Sequence, residues 1–370
     1  MSVTEFSPPS SPSRAELPAA ANGDARSTAF ESNGSLDRPA ATALAAELVA
    51  ALDSVLLGVG QANQLVVAAV LARGHVLVED RPGVGKTLLA KTLAAAIGGT
   101  SARIQGSIDV LPADITGGLV LRSGGSVAGV AGVSSGAGAA GGAGGSQTSE
   151  DPFRFVPGPV FHNVVIIDEL NRISPRAQAA LLEAMEERHV TVDGQPRALP
   201  DPFIVVATQN HTSSAGTYPL LQGQIDRFSI GTTLGLPSAA AETALLLGTG
   251  GTNRLANLPL VCSPSELLSA QHATAQVNLA PQIAAYIVAI AQVTRDRLGE
   301  GKGASPRASL MIAAIARAFA VLAGRDYVAP DDVQAAVFPV LGMRLHGDTS
   351  EADARARILS YLTDVAVPRP

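Results

Sequence analysis

Apolar residues recur every three or four positions between residues 40 and 73, with Leu44, Leu48, Leu52 and Val55 on one stripe. That spacing puts side chains on one face of a helix. Leu57-Gly58-Val59-Gly60 interrupts the stripe, and a second helix through Leu65, Ala69 and Val70 follows. The period then changes. Short apolar runs at 75–79, 102–105, 164–167, 203–208 and 228–232 read as strands, and helical patterns fall between them at 87–97 and 175–188. Val164, Val165, Ile166 and Ile167 are all β-branched, which suits a strand buried on both faces. Gly98-Gly99 closes the first of these helices. Ser174 as N-cap, with Pro175 in the first helical position, opens the second. Val190–Val192 followed by Asp193-Gly194 predicts a hairpin with a tight turn. Strands alternating with helices imply an α/β fold with a doubly wound parallel sheet, over residues 40–237.

After Pro237 the strands stop. Helical spacing recurs at 239–247, 265–274, 281–297, 306–323 and 331–340, which predicts a separate all-α domain over 238–347. Residues 1–39 are rich in Ser, Pro and Ala and bury too little to offset chain entropy, so they read as a disordered tail. Residues 348–370 read as a weak helix and a tail. Residues 123–149 are nearly all Gly, Ala, Ser and Val, between strand-like residues at 119–121 and 153–156. Closure entropy grows slowly with loop length. The stretch therefore reads as a disordered insertion at the tip of a hairpin, not as a linker between domains.

Composition narrows the function. Hydrophobic residues make up 46% of the chain, ample for a core, and tryptophan is absent, so that core is aliphatic. The net charge of −6 comes without a basic block, which argues against a sequence-independent nucleic-acid binder. The one cysteine, Cys262, cannot form an internal disulfide and fits a reducing compartment. The N-terminus does not read as a secretory signal, and no apolar run is long enough to span a membrane. A cytoplasmic protein is expected.

Three strand ends carry candidate chemistry. In Glu79-Asp80-Arg81-Pro82-Gly83-Val84-Gly85-Lys86-Thr87, a strand leads into a helix through a glycine-rich loop. Glycines let several backbone N–H groups turn inward on phosphates, and the helix N-terminus adds partial positive charge. Pro82, Gly83, Val84, Gly85, Lys86, Thr87 and Leu88 are the expected nucleotide-binding residues. Lys86 neutralises the β- and γ-phosphates, and Thr87 offers a hydroxyl to Mg²⁺. Asp80 stands where such loops usually begin with glycine. Asp168 and Glu169 end the run 164–167: Asp168 is the second expected Mg²⁺ ligand, and Glu169 orients and deprotonates the attacking water. Ala207-Thr208-Gln209-Asn210 places a neutral amide, Asn210, at a third strand end, where it can position water beside the γ-phosphate. Arg227 and Arg307 could stabilise transition-state charge. Alternatively, Arg227 pairs with Asp226 on the surface and Arg307 is a solvated first-turn residue. Glu183, Glu186 and Glu187 read as a solvated helix face, and His189 as a surface residue. No histidine cluster has the spacing of a zinc site.

Several longer stretches carry a resemblance: RIQGSIDVLPADITG at 103–117, FRFVPGP at 153–159, DELNRISPRAQAALLEAMEERHVTV at 168–192, GTYPL at 216–220, GASPRA at 303–308 and GRDYVAPDDV at 324–333. In this order they resemble the MoxR-type AAA+ ATPases over residues 40–347. The resemblance implies a five-stranded P-loop core, a helical lid and a homo-oligomeric ring, usually a hexamer. It implies ATP and Mg²⁺ as ligands, with Asn210 as sensor 1, Arg307 as the sensor 2 arginine and Arg227 as a finger reaching the neighbouring subunit's nucleotide. Residues 109–156 correspond to the family's helix-2 insert and 190–199 to its pre-sensor-1 hairpin, elements that usually face the pore or the substrate. Chaperone-like remodelling, enzyme maturation or metal-cofactor insertion would be the role, with von Willebrand factor A domain proteins or other clients as partners. Counting back from Gly74 puts Gly58-Val59 where the family has a Gly-Gln pair, so the resemblance carries no adenine contact to residues 58–61. A non-hydrolysing ATP/ADP switch and a P-loop kinase are the rival readings. Glu169 argues against the first, and the lid and the distant arginine argue against the second.

Overall fold

Residues with apolar side chains on both faces form the strands at the centre of the molecule. The computed structural model describes residues 4–6, 37–80, 83–121, 153–209, 217–299, 303–345 and 351–368. Its main sheet contains β1 (Thr4–Phe6), β2 (Val76–Glu79), β3 (Ser101–Gln105), β6 (Val164–Asp168), β9 (Ile204–Gln209) and β10 (Ile230–Thr232), in the order β1-β3-β6-β9-β2-β10. Five of these run parallel, and β1 pairs antiparallel with β3 at the edge. The expected parallel α/β sheet is therefore present. Within the stretch 1–39, expected to carry no structure, Thr4–Phe6 form this edge strand, and α1 begins at Arg38. Residues 1–3 and 7–36 lie outside the described residues, as does the insertion 123–149.

The helices are α1 (Arg38–Val55), α2 (Gly60–Leu71), α3 (Lys86–Ala96), α4 (Pro112–Thr116), α5 (Pro175–Glu187), α6 (Gln222–Ile225), α7 (Ala239–Leu246), α8 (Gly251–Leu255), α9 (Pro264–Ala275), α10 (Pro281–Leu298), α11 (Pro306–Leu322), α12 (Pro330–Leu345) and α13 (Glu351–Thr363). Asp37 caps α1, its carboxylate accepting from the Ala40 N–H at 2.9 Å. Gly58, at φ +82°, makes the turn between α1 and α2 where the hydrophobic stripe is interrupted.

Strand alternation assigns each side chain to one of two cores. Val76, Val78, Val164, Ile166, Ile204, Val206 and Ile230 face α1, α2, α3 and the lid helices in one cluster. Leu77, Ile104, Val165, Ile167, Val205 and Ala207 face α5, Phe203 and Phe228 in the other. Helices thus cover both faces, as a doubly wound sheet requires. The lid helices share the first cluster, so core and lid bury one continuous apolar surface. The stretch 348–370, expected as a weak helix and tail, contains α13, whose Ala354, Ile358 and Tyr361 are buried. Its apolar face docks on α12 and α10, and that tertiary packing stabilises a helix too short to be stable alone.

Two hairpins leave the sheet. β4 (Gly117–Leu121) and β5 (Phe153–Pro157) pair antiparallel with Leu119 opposite Phe155, as the flanks of the insertion predict. β7 (His189–Val192) and β8 (Gln195–Ala198) turn through Asp193 and Gly194, at φ +51° and +75°, the left-handed pair that a two-residue hairpin turn demands. The Arg197 guanidinium lies 3.8 Å from the Phe155 ring centroid and joins the two hairpins. Among the described residues no helix is long and apolar enough to cross a membrane.

Candidate active site

Parallel pairing brings the C-terminal ends of β2, β9, β6 and β3 to one edge, with Glu79 beside Gln209 and Gln105 beside Asp168. Ligands bind at this edge in open α/β sheets. The loop after β2 reaches α3 through Gly83 at φ +88° and Gly85 at φ +100°, left-handed conformations that favour glycine. Lys86 is the first residue of α3 and is buried. Its ammonium donates to the Asp80 carbonyl oxygen at 2.6 Å and, more weakly, to that of Gln209 at 3.4 Å. Burial pushes the Lys86 ammonium below the usual lysine range, while the carboxylates of Asp80, Asp168 and Glu169 oppose the shift. Pro82 lies outside the described residues. The Val84 side chain packs on the core, so only its main chain can serve a ligand, whereas Leu88 lines the cleft.

The Thr87 hydroxyl lies 3.1 and 3.0 Å from the two carboxylate oxygens of Asp168. One hydroxyl and one carboxylate, both hard oxygen donors, suit Mg²⁺, which keeps several waters and takes its remaining ligands from substrate phosphates. Among the described residues no group of three His, Cys, Asp or Glu could hold a metal by itself, and this chemistry needs none. Glu169 follows in the left-handed region at φ +59°, an uncommon conformation for a residue with a side chain. Its N–H donates to the Thr208 hydroxyl at 3.0 Å, and its carboxylate accepts from Arg172 at 2.8 Å. Asn210, the third expected strand-end residue, lies outside the described residues.

Four residues join this site without having been given a role in it from the sequence. Arg103 on β3 pairs with Asp168 at 2.7 Å; a charge in the middle of a short apolar strand was the available signal. Gly106 donates its N–H to the Asp168 carbonyl oxygen at 2.7 Å, and a Cβ added there would run into the Glu169 carbonyl oxygen. Thr208 holds the Glu169 backbone. Asp80 is the fourth: its carboxylate accepts from the N–H groups of Leu234 and Gly235 at 2.9 and 2.7 Å. The departure from glycine at the loop's start therefore ties the phosphate loop to the segment leading into the helical domain.

Gly83, Gly85, Lys86, Thr87, Asp168 and Glu169 line one cavity of about 690 Å³, closed on the helical side by Thr252, Leu255 and Ala256. A larger cavity of about 940 Å³ lies between Gly58, Val59, Gly60 and Gln61 on one wall and lid residues such as Phe338 and Ile358 on another. The larger cavity contains neither Lys86 nor Asp168, so the polar chemistry belongs to the smaller one.

Arg227 and Arg307 are not part of that cavity. Arg227 precedes β10, whose first residue lies opposite Val76, at the edge of the sheet where the strands begin. α5 returns from Asp168 to the same edge: the Met185 carbonyl oxygen lies 3.2 Å from His75 Nε2 at the start of β2. There Glu186 receives the Arg227 Nε at 2.8 Å on one carboxylate oxygen and an Arg307 N–H on the other. Both arginines hold the Glu186 carboxyl below the usual carboxylate range. Glu183, Glu186 and Glu187 do form an exposed helix face, and Arg307 is part-exposed in a first turn, but Glu186 and Arg307 are ion-paired to each other. One sequence expectation is corrected here: Arg227 pairs with Glu186 and not with Asp226. Asp226 instead accepts from Arg344 at 2.8 Å and from the Ser305 hydroxyl at 2.9 Å, and so holds core and lid together.

Comparison with known proteins agrees with this geometry. The model of the ATPase family associated with various cellular activities (AAA) matches residues 75–128 and 141–230, and that of the AAA lid domain matches residues 294–360. The chain is 40% identical over 283 residues to YeaC of Bacillus subtilis, covering 76% of this chain and 81% of that protein. It is 36% identical over 300 residues to the chaperone MoxR1 of Mycobacterium tuberculosis, covering 79% and 72%. It is 26% identical over 347 residues to MoxR of Paracoccus denitrificans, covering 86% and 93%. A crystal structure from Cytophaga hutchinsonii, of a protein classed as an ATPase, superposes with a TM-score of 0.74 at 27% identity, over 90% of this chain and 97% of that one.

Proposed function

The chain belongs to the MoxR family of AAA ATPases, and from that premise we propose that it hydrolyses ATP to remodel partner proteins. The observation that carries the reading is the meeting of Lys86, Thr87, Asp168 and Glu169 in one cavity at the ligand-binding edge of the sheet. Lys86 and the N–H groups around Gly83 and Gly85 bind the phosphates. Thr87 and Asp168 would hold Mg²⁺, with Arg103 paired to the same Asp168 carboxylate. Bound there, Mg²⁺ supplies neutralisation of phosphate charge. Glu169, aimed by its left-handed backbone and the Thr208 hydroxyl, takes the proton of the attacking water, which Asn210 helps to orient. The base lies toward residues 58–61, whose cavity also takes in Glu79 just ahead of the phosphate loop.

Arg227 and Arg307 sit at the sheet edge opposite their own phosphate loop. Their position favours a reading in which both act on a neighbouring subunit's nucleotide in a homo-oligomeric ring, a hexamer by family habit. The lid couples to that edge through Asp226, so hydrolysis in one subunit shifts the lid of the next. The pore-side hairpins 117–157 and 189–198 then act on a client. The chaperone name of the mycobacterial relative supports protein clients; von Willebrand factor A domain proteins as partners, and enzyme maturation or metal-cofactor insertion as outcomes, rest on the family resemblance alone. A buried lone cysteine fits a cytoplasmic setting.

The test is phosphate release by purified protein with Mg²⁺ and ATP. Glu169→Gln should bind ATP with unchanged affinity and turn over at least about 100-fold more slowly, within the range of a general base. Equal turnover by Glu169→Gln and wild type would reject the assigned base, and nucleotide binding without any phosphate release by the wild type would favour a switch.

A further inference from the structure

Among the described residues Glu186 is the single side chain hydrogen-bonded to both arginines, and it joins two domains in doing so. It belongs to α5 of the core, Arg227 precedes β10 of the core, and Arg307 opens α11 of the lid. The hydrogen bonds among the described residues use Nε and Nη1 of Arg227, the second to the Gly223 carbonyl oxygen at 3.0 Å, and Nη2 of Arg307. Nη2 of Arg227 and Nη1 of Arg307 remain available to an incoming anion. Two guanidiniums side by side repel each other, and a carboxylate between them removes that repulsion and sets the angle of each planar fork. All three side chains are between 31% and 39% exposed, so the cluster is open to a large polyanion while it stays ordered.

We propose that Glu186 is a positioning residue for ATP hydrolysis, holding Arg227 and Arg307 as one preorganised pair that receives the triphosphate bound by the adjoining subunit. This rests on the reading that both arginines act in trans. The carboxylate stays on the arginines' inner side and the phosphate takes the outer N–H groups. The core–lid orientation then decides whether both guanidiniums arrive together. Glu186 touches no reacting atom itself. Its effect passes through the geometry of two groups, and a misplacement of about 1 Å there costs roughly 100-fold in rate.

The experiment uses the full-length assembled protein at saturating ATP, with Arg227→Ala, Arg307→Ala, the two combined, Glu186→Ala, Glu186→Gln and the triple alanine substitution. Turnover, affinity for a fluorescent ATP analogue, oligomer mass and thermal melting are measured for each. Glu186→Ala should lower kcat by about 10- to 100-fold, with analogue affinity within about twofold of wild type. Glu186→Gln, which keeps the shape and one acceptor but loses the charge, should fall between the two. In the Arg227→Ala/Arg307→Ala background, adding Glu186→Ala should change kcat by less than about twofold, because the group acts only through the arginines. A merely structural role would instead lower the melting temperature and multiply with the arginine losses, and that result overturns the proposal. If Glu186→Ala does not fold, Glu186→Gln carries the same comparison. Slow arginine variants beside a wild-type rate for Glu186→Ala reject the role of Glu186 alone. Wild-type rates for both arginine variants reject the trans reading, and this inference with it.

Discussion

Acid should weaken the strand that delivers the phosphate loop, through one buried imidazole. His75 opens the β2 segment at 4% exposure. Its Nδ1 accepts from the Val205 N–H at 3.0 Å, and its Nε2–H donates to the Met185 carbonyl oxygen at 3.2 Å, so the ring fits as the neutral Nε2–H tautomer. Protonation would set an Nδ1–H against the Val205 N–H in an environment without water. Burial, helped by the nearby Arg188 cation, pushes the His75 pKa from 6.5 down to about 3. In the unfolded chain the ring binds a proton below about pH 6.5, and in the folded chain only below about pH 3. The contribution to stability is therefore complete above the unfolded value and is lost as pH falls through the window between the two. At about 1.4 kcal/mol per unit, a drop from pH 8 to pH 5 removes about 2 kcal/mol from this residue alone. Urea unfolding at both pH values should show wild type losing about 2 kcal/mol more than His75→Asn, whose amide oxygen can replace Nδ1 as acceptor but does not titrate. Amide exchange at Val205 reports the same opening locally. A difference below about 0.5 kcal/mol between the two proteins, or an imidazole resonance of His75 titrating near its unperturbed value, would refute the reasoning.

Two further substitutions test the site and its support. Gly106→Ala forces a methyl into the Glu169 carbonyl oxygen. It should cost about 1–3 kcal/mol of stability and slow ATP turnover more than it weakens ATP binding, because the displaced group is the one that aims Glu169. Comparable losses in kcat and affinity would point to general unfolding. Asp226→Ala leaves the buried Arg344 guanidinium without its carboxylate partner. Breaking such a pair from one side costs about 3–5 kcal/mol, with the lower end expected because Arg344 also donates to the Phe228 and Val340 carbonyl oxygens. A change under about 1 kcal/mol in urea unfolding would show that lid and core do not depend on this contact.

The sequence by itself determined what depends on neighbours along the chain. The β-branched run 164–167 made a central strand because nothing polar interrupts it before Asp168. Asp193-Gly194 made its hairpin turn because both residues tolerate positive φ. The glycines of the phosphate loop and the lysine and threonine after them form one local device on consecutive residues, and local devices are legible from spacing. The flanks of the glycine-rich insertion were likewise readable as a hairpin, since apolar, strand-like residues stand on both sides of it.

What only the tertiary structure decided depends on strands crossing over and helices coming back. Glu186 lies 41 residues from Arg227 and 121 from Arg307, and no periodicity in α5 marks it out from Glu183 or Glu187. It becomes the meeting point because α5, leaving the ligand-binding edge after Asp168, must run back over the sheet before the next parallel strand can start. That return puts its last turn where the lid docks. Asp80 was visible as a departure from glycine, but its two N–H partners, 154 and 155 residues away, come from the far side of β10. A carboxylate's partners are set by which backbone ends the sheet order brings together, and that order is a property of the folded chain.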